Sequence, residues 1–504
     1  MTPRPLPNHQ QLPYALYTAA QVRALDQAAI ASHCPGAELM QRAGQAAYDL
    51  LRRRWPAAQR LTVLCGPGNN GGDGYVVARL ARGDGLEARV LQLGDEGHLT
   101  PEASQMREAW SQSGGTCEAF RALPRNTDLI VDALLGIGLE RPLIGDWAVA
   151  VQAINAQRAP VLAIDIPSGL HADTGRVLGC AVRAMATLSF IGLKQGMFTG
   201  AGPEYCGEIH FAGLGIPASL YGREILAARR LDWSKIAGQV PRRRRDAHKG
   251  DLGHVLIVGG APGFSGAARL AGEGALRAGA GLVSVATHPA HAAMLNLGRP
   301  ELMVAAVTTP ADLAPLLARA TAVAIGPGLG QGPWGRELLP PVLAAGKPLV
   351  LDADALNWLA QHPSRREDWV LTPHPGEAAR LLGCSPAEVQ ADRFSAARRL
   401  RDRFGGTLVL KGAGTLVMGG GRRPPGICSH GNPGMASGGS GDVLAGMVAA
   451  FLARGLAADD AAEVAVCLHA AAGDVAARAG EQGMLASDLI AAIRPTLNQV
   501  EVLP

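Results

Sequence analysis

Aromatic side chains make up only 4% of the 504 residues, too few for the stacking platforms on which single-stranded nucleic acids are held. Charge of one sign is scarce as well. Lys and Arg total 47 against 43 Asp and Glu, a net of +4, which leaves no broad basic face for a polyanion. The one exception, Arg242-Arg243-Arg244-Arg245, reads as a charged linker, with a nucleic-acid or membrane patch as the alternative. No apolar run reaches the ~20 residues that cross a bilayer; the longest, residues 443–453, is bounded by Asp442 and Arg454. The first eleven residues are broken by Pro3, Pro5 and Pro7 and hold no apolar stretch, so no secretory signal is expected. Eight cysteines are scattered without a Cys-x-x-Cys pair, which offers neither a zinc site nor a disulfide framework and points to a reducing cytoplasm. No G-x-x-x-x-G-K-[ST] occurs, which excludes a P-loop.

What is present suits packed interiors. Hydrophobic residues are 48% and charged residues 18%, the reverse of the disordered signature, and the length favours two or more domains. The 65 glycines and 34 prolines exceed the usual share of about 12% and cluster between apolar segments, so many tight turns and backbone-lined sites are expected. After helices over 18–51, a β-rich run, a glycine turn and a helical pattern recur, the way parallel α/β sheets are written. Strands are expected at 61–65, 88–93, 128–133, 161–166 and 184–190. The pattern stops over 229–251 and restarts with strands at 254–258, 281–286, 320–325, 348–352, 369–372 and 407–411. The last hundred residues are mostly helical, with helix starts at Ser440 and Ala457. The expected domains are therefore 1–228 and 229–504, both α/β, with no sequence repeat linking them.

In the first half, Cys65-Gly66-Pro67-Gly68-Asn69-Asn70-Gly71-Gly72-Asp73-Gly74 follows a strand and precedes a helix. Such a turn offers amide N–H groups at the positive end of a helix dipole; a merely tight turn is the alternative. Asn69, Asn70 and Asp73 add oxygen and amide groups that a dehydrogenase fingerprint does not need. Two further strand ends carry aspartate, Asp132 in Val131-Asp132-Ala133 and Asp165 in Ile164-Asp165-Ile166-Pro167-Ser168. Ligands of open parallel sheets sit beyond the carboxyl ends of strands, so the loop and both aspartates are expected to converge on one crevice. Taken alone, each aspartate also reads as a helix cap or a loop brace.

Together these motifs resemble the N-terminal domain of the YjeF family, the NAD(P)H-hydrate epimerases, over residues 15–225. The resemblance implies a Rossmann-like domain with a parallel sheet, in which Asn70, Asp132 and Ser168 hold a potassium ion; oxygen ligands suit a hard cation. It also implies that Asn69 to Asp73, Gly71 and Gly72 included, contact the hydrated nucleotide, as do Asp165 and the run Gly136, Ile137, Gly138, Leu139, Glu140 and Arg141. Asp165 is the expected acid/base group for inversion at C6 of the hydrated ring, through loss and return of the hydroxyl or through ring opening. Lys194 is expected on the surface, with the site rim as the alternative.

In the second half, Gly431-Asn432-Pro433-Gly434-Met435-Ala436-Ser437-Gly438-Gly439-Ser440-Gly441-Asp442 runs into an apolar helix pattern. Backbone amides and the helix dipole there suit a moving phosphoryl group, with Asp442 placed to take the proton of an attacking hydroxyl; a glycine-lined helix start capped by Asp is the plainer alternative. Leu410-Lys411-Gly412-Ala413-Gly414-Thr415 suits a nucleotide phosphate, and His374 is fixed between Pro373 and Pro375. Asp352 and Asp354 are expected to cap the following helix, with magnesium as the alternative. Residues 232–504 resemble the C-terminal YjeF domain, a ribokinase-like α/β fold that dehydrates NAD(P)H hydrates. The resemblance carries Ala267, Gly328, Gly330, His374 and Asp442 to the hydrate, and Lys411, Gly412, Ala413, Gly414, Thr415 and Gly441 to the adenine nucleotide.

The expected whole is a bifunctional repair enzyme acting on NADHX and NADPHX. It would interconvert the R and S hydrates and dehydrate the S form with Mg2+ and ADP, giving AMP and phosphate. No nucleic-acid or membrane partner is expected; a cytoplasmic homo-oligomer is. The rivals are a ribokinase-type small-molecule kinase, a non-enzymatic binding module and an NAD dehydrogenase, the last without a Tyr-x-x-x-Lys pair to support it.

Overall fold

The structure is a computed structural model and describes residues 12–222, 224–421 and 423–499; the proline-broken segment 1–11 lies outside the described residues. The chain divides into two compact units, one ending at Arg229 and the other beginning at Arg230.

In the first unit, seven strands lie in the order Cys117–Ala119, Glu87–Gln92, Arg60–Cys65, Leu129–Ala133, Val161–Ile164, Ala186–Phe190 and Glu208–Ala212, all parallel. Their central members are buried on both faces, which is why they read as continuous apolar runs rather than alternating ones. The helices Ala19–Ser32 and Gly36–Arg54 precede the sheet. Thr18 and Gln21 close a capping box on the first of them, which fixes its start. From Arg60–Cys65 the chain builds outward first on one side, then on the other. The topological switch therefore falls between that strand and Leu129–Ala133, where a crevice is expected.

The second unit repeats the logic. Its strands run Met303–Ala306, Leu282–Thr287, His254–Val258, Ala322–Ile325, Leu349–Leu351, Trp369–Leu371 and Thr407–Leu410 in parallel, then Leu416–Met418 and Gly426–Cys428 antiparallel. The helix Ser440–Ala453 is buried nearly all round, which marks a core helix rather than a surface one and accounts for the longest apolar run of the sequence. It crosses Ser265–Arg277 at close range: a Cβ on Gly446 would lie 1.9 Å from the Ala271 carbonyl oxygen, and one on Gly274 2.6 Å from that of Val443. Those glycines set how near the helix start at Gly439 comes to the loop before Ser265. No helix among the described residues is long and apolar enough to cross a membrane. The arginine run adopts no regular element; Arg244 pairs with Asp246, and Arg243 donates to the Gly279 carbonyl.

Candidate active sites

At the first switch point, the helix Asn69–Gly83 begins at Gly68 without any side-chain cap, so its first amides keep their donor capacity. The glycines are needed for close approach. A Cβ on Gly66 would meet the Leu134 carbonyl oxygen at 1.8 Å, and one on Gly71 the Gly66 carbonyl oxygen at 1.9 Å.

Beneath this loop, Asp132 is fully buried. Its Oδ1 accepts from Ser168 Oγ (2.7 Å) and Leu134 N (3.3 Å), and its Oδ2 accepts from Ser168 N (2.8 Å). Asp132 is thus a brace between two strand ends. Burial pushes its carboxyl up to about 6 although the Ser168 bonds oppose the rise. Asn70, in the loop next to Gly136, is buried, and neither its Oδ1 nor its Nδ2 has a partner, an expensive arrangement for a side chain without a ligand.

Asp165 follows the strand Val161–Ile164 with φ 69°, a left-handed backbone that costs a non-glycine residue about 1–2 kcal/mol. Its Oδ1 is held by Lys194 Nζ and by Phe190 N (3.3 Å), while Oδ2 faces Gly136, 3.7 Å from where a Cβ would stand. The surface position expected for Lys194 is wrong: the side chain is 0% exposed and also donates to Ser189 Oγ (3.0 Å) and the Phe190 carbonyl (3.2 Å). Its single charge is spent on Asp165, which is what allows an ammonium group to stay buried.

These groups open onto a cavity of about 890 Å3. Of the expected substrate-binding residues, Asn69, Asn70, Asp73, Asp165 and the run Gly136 to Arg141 line it. Gly71 and Gly72 pack behind the loop, a Cβ on Gly72 meeting Met40 Sδ at 2.3 Å. Burial holds the Asp73 carboxyl well above its usual range, and Asp165 and Asp26 add to the rise. The reading from sequence missed the wall supplied by the first two helices, including Arg23, Asp26, Ile30 and Met40. The signal was present as the i, i+4, i+8 series Val22, Asp26, Ile30.

In the second unit, the helix Ser440–Ala453 starts at Gly439, which has φ +93°, and it too lacks a side-chain cap. Asp442 stands in its first turn and is not the cap. Lys411, at the end of Thr407–Leu410, reaches this start; a Cβ on Gly441 would lie 3.2 Å from Lys411 Nζ. Lys411 Nζ donates to Asp352 Oδ1 at 2.7 Å and lies 3.8 Å from Glu377 Oε2. The Asp442 carboxyl is pushed up to about 7 by burial and by Asp352, with Lys411 opposing and Glu377 and Asp354 adding.

The capping expected of Asp352 does not occur. Although it occupies the N-cap of Ala353–Gln361, it makes no capping bond; its Oδ1 is taken by Lys411 and by Thr372 Oγ1 at 2.8 Å. A buried carboxylate beside an ammonium gains more from that charge than from a peptide N–H. Asp354 accepts instead from Gly330 N at 2.8 Å, fixing the glycine turn after Ala322–Ile325. Gly328 is tight against the opposite loop, a Cβ there falling 3.0 Å from Ala267 Cβ, so Ala267, Gly328 and Gly330 form one wall. His374 caps Pro375–Leu382 through Nδ1 to Gly376 N (3.0 Å), and Glu377 accepts the His374 N–H at 2.7 Å. The rigid placement is thus a cap, with the imidazole shifted down by burial and by Lys411. Thr415 Oγ1 donates to the Gly412 carbonyl (2.9 Å) and closes the 411–415 turn. Below it lies Arg393, missed from sequence and fully buried, which donates to the carbonyls of Leu410 (3.0 Å) and Lys411 (3.2 Å).

A family described as NAD(P)H-hydrate dehydratase matches residues 255–495, and one described as YjeF-related protein N-terminus matches 36–196. Over 96% of this chain and 99% of its own length, the bifunctional NAD(P)H-hydrate repair enzyme of Coxiella burnetii is 46% identical. The chain belongs to the bifunctional NAD(P)H-hydrate repair enzymes. The Escherichia coli member of this repair family is 47% identical over 92% of this chain and 89% of its own. A solved ribokinase-like protein from Enterococcus faecalis shares the fold of the second unit, with TM-score 0.51 and 29% identity over 55% of this chain and 98% of its own. Asp165, Lys194, Lys411 and Asp442 all fall inside the stretches matched to the repair-enzyme families, whereas Asp26 precedes them.

Proposed function

We propose that this chain returns both hydrates of NADH and NADPH to the intact dinucleotides, the first unit interconverting R and S and the second dehydrating S at the expense of ADP. The observation that carries the reading is Asp442: a carboxyl without a hydrogen-bond partner among the described residues, at an uncapped helix start, beside the half-buried Lys411. Hydroxide is a poor leaving group and phosphate a good one. Asp442 takes the proton of the C6 hydroxyl while the first-turn amides of Ser440–Ala453 and the Lys411 ammonium carry the charge of the moving phosphoryl group. The phosphorylated oxygen then leaves as phosphate, pushed by the ring nitrogen's lone pair, and loss of a C5 proton restores the dihydronicotinamide. The 411–415 turn with Gly441 receives the nucleotide, and the wall of Ala267, Gly328 and Gly330 with His374 receives the hydrate.

The cluster of Asp352, Asp354, Glu377 and Asp442 against the single Lys411 carries excess negative charge that would repel a polyphosphate. A magnesium ion fits this donor set, held by Asp352 or Asp354, and would neutralise the phosphates when bound. In the first unit a potassium ion fits the unpartnered Asn70 Oδ1 with Asp132 and Ser168, and would fix the loop electrostatically. There Asp165 is the base, its Oδ1 anchored by Lys194 and its Oδ2 directed to the cavity. We further expect the reaction to run in the cytoplasm, where the eight cysteines, none of them in a disulfide, persist as thiols, and in a homo-oligomer, which light scattering of the full chain measures.

The test supplies purified S hydrate and ADP. Free phosphate and dihydronicotinamide absorbance should appear in equal amounts. A ribokinase-type kinase would instead accumulate a phosphorylated product with no absorbance gain, and that result would reject the proposal.

A further inference from the structure

We propose that Asp26 is a second catalytic carboxyl of the first unit, the acid that complements Asp165 in inverting C6 of the hydrated nicotinamide; this rests on the epimerase reading of that cavity.

Asp26 lies on Ala19–Ser32, whose residues Val22, Asp26 and Ile30 fall at i, i+4 and i+8 and all line the cavity. It is the polar member of an otherwise apolar stripe. Burying a carboxyl there has no packing benefit, and the side chain makes no hydrogen bond or ion pair among the described residues. Helix charges elsewhere in this unit are used differently: Asp49 accepts from Gln45, and Glu38 pairs with Arg42. The groups that share the cavity with Asp26 are Asp165 and Asp73 from the strand ends and loop and Glu102 from the helix Pro101–Gln112, with Arg23, Glu140 and Arg141 at the walls; Lys194 lies buried behind Asp165 and acts on Asp26 through its charge. Lys194 is committed to Asp165 and only partly offsets the rise at Asp26, which has no ion pair of its own among the described residues. Burial, then Asp165 and Glu102, hold its carboxyl above the ordinary range.

Two carboxyls in one cavity with opposite environments take opposite roles. Asp165, ion-paired with Lys194, is the proton acceptor. Asp26, with no ion pair of its own among the described residues, is placed to give the proton. In the forward step the Asp26 proton passes to the C6 hydroxyl, the C6–O bond breaks with its electron pair on oxygen, and water leaves as the N1 lone pair forms a C6=N1 iminium. Water then adds to the opposite face while Asp165 takes its proton, giving the epimer. One proton has moved from Asp26 to Asp165, and the reverse inversion or exchange with solvent restores it. No oxidant or further reactant is needed.

The assay uses the full chain with R hydrate and with S hydrate, each with ADP, after subtraction of spontaneous epimerisation. Asp26→Asn should slow use of R by roughly a hundredfold or more, the usual loss for a general acid, while S is dehydrated at the wild-type rate. In the wild type, use of R should fall at high pH as Asp26 loses its proton, and that limb should vanish in Asp26→Asn. Asp26→Glu should recover most of the rate and show a high-pH limb displaced from that of the wild type. Wild-type use of R by Asp26→Asn would overturn the proposal while leaving the epimerase reading intact; a wild-type chain that never used R faster than the spontaneous rate would overturn both. Should Asp26→Asn lose the native circular dichroism of the unit, Asp26→Glu decides: an unmoved high-pH limb there counts against Asp26 as the acid, and a shifted one supports it.

Discussion

Replacing Lys411 with Met separates the electrostatic account of the dehydratase site from a purely steric one. Lys411 holds Asp352 at 2.7 Å and abuts the helix start that carries Asp442. Its charge is the one influence that lowers an Asp442 carboxyl otherwise lifted by burial, Asp352, Glu377 and Asp354. Unit charges about 6 Å apart interact by roughly 3 kcal/mol at an effective dielectric constant near 20, which corresponds to roughly two pKa units. With solvent relaxation allowed, the loss of Lys411 should raise Asp442 by about one to two units. Starting from about 7, the ionised share at pH 7 falls from about a half to roughly one part in ten to a hundred. The base must be ionised to act, so the wild-type rate rises with pH through that value. The assay is kcat for S hydrate at saturating ADP between pH 5.5 and 9.5, which reports the groups of the bound complex. The acidic limb of Lys411→Met should move upward by one to two units, with part of the rate recovered above pH 9. A limb that stayed in place or moved downward would refute the electrostatic reasoning. The same variant leaves Asp352, 2% exposed, without its partner, which should cost about 3–5 kcal/mol of stability unless the carboxyl takes up a proton.

Asp442→Asn should make the apo protein more stable at pH 8 than the wild type. The folded carboxyl binds its proton more tightly than the unfolded one, so wild-type stability falls as pH rises between about 4 and 7, and asparagine escapes that loss; thermal melts at pH 5 and pH 8 should show the difference only at the higher value. Arg393→Met orphans two buried carbonyls under the 411–415 turn, which should cost about 2–6 kcal/mol and raise the KM for ADP more than that for S hydrate. Exchanging K+ for tetramethylammonium should slow use of R hydrate and leave S unaffected, and Asn70→Ala should abolish that sensitivity.

The sheets were legible in the sequence because their central strands are parallel and covered on both faces, so these read as apolar runs followed by turn residues. The strands Thr407–Leu410 and His254–Val258 fall where that pattern places them. Strands lacking that mark went unread: Cys117–Ala119 and Met303–Ala306 lie at edges with partly exposed residues, and Leu416–Met418 with Gly426–Cys428 form a short antiparallel extension. Candidate site residues at strand ends, such as Asp132, Asp165 and Lys411, could be named because a parallel sheet gathers its strand ends on one edge, and Asp442 because a glycine run opens its helix. What could not be read was pairing across long separations. Lys194 sits in a mostly apolar stretch, Phe190 to Phe198, but its charge by itself reads as surface; contact with Asp165, 29 residues away, is what keeps it internal. Asp352 stands where a cap belongs by position, yet Lys411, 59 residues on, claims it.

In the proposed function, labour is divided between two carboxylates in two units. The separated R and S hydrates with ADP, given to Asp442→Asn and Asp165→Asn in parallel, test it most directly. Asp442→Asn should fail on S, and Asp165→Asn should clear S at the wild-type rate while using R no faster than it converts spontaneously. Normal turnover of S by Asp442→Asn would contradict the claim.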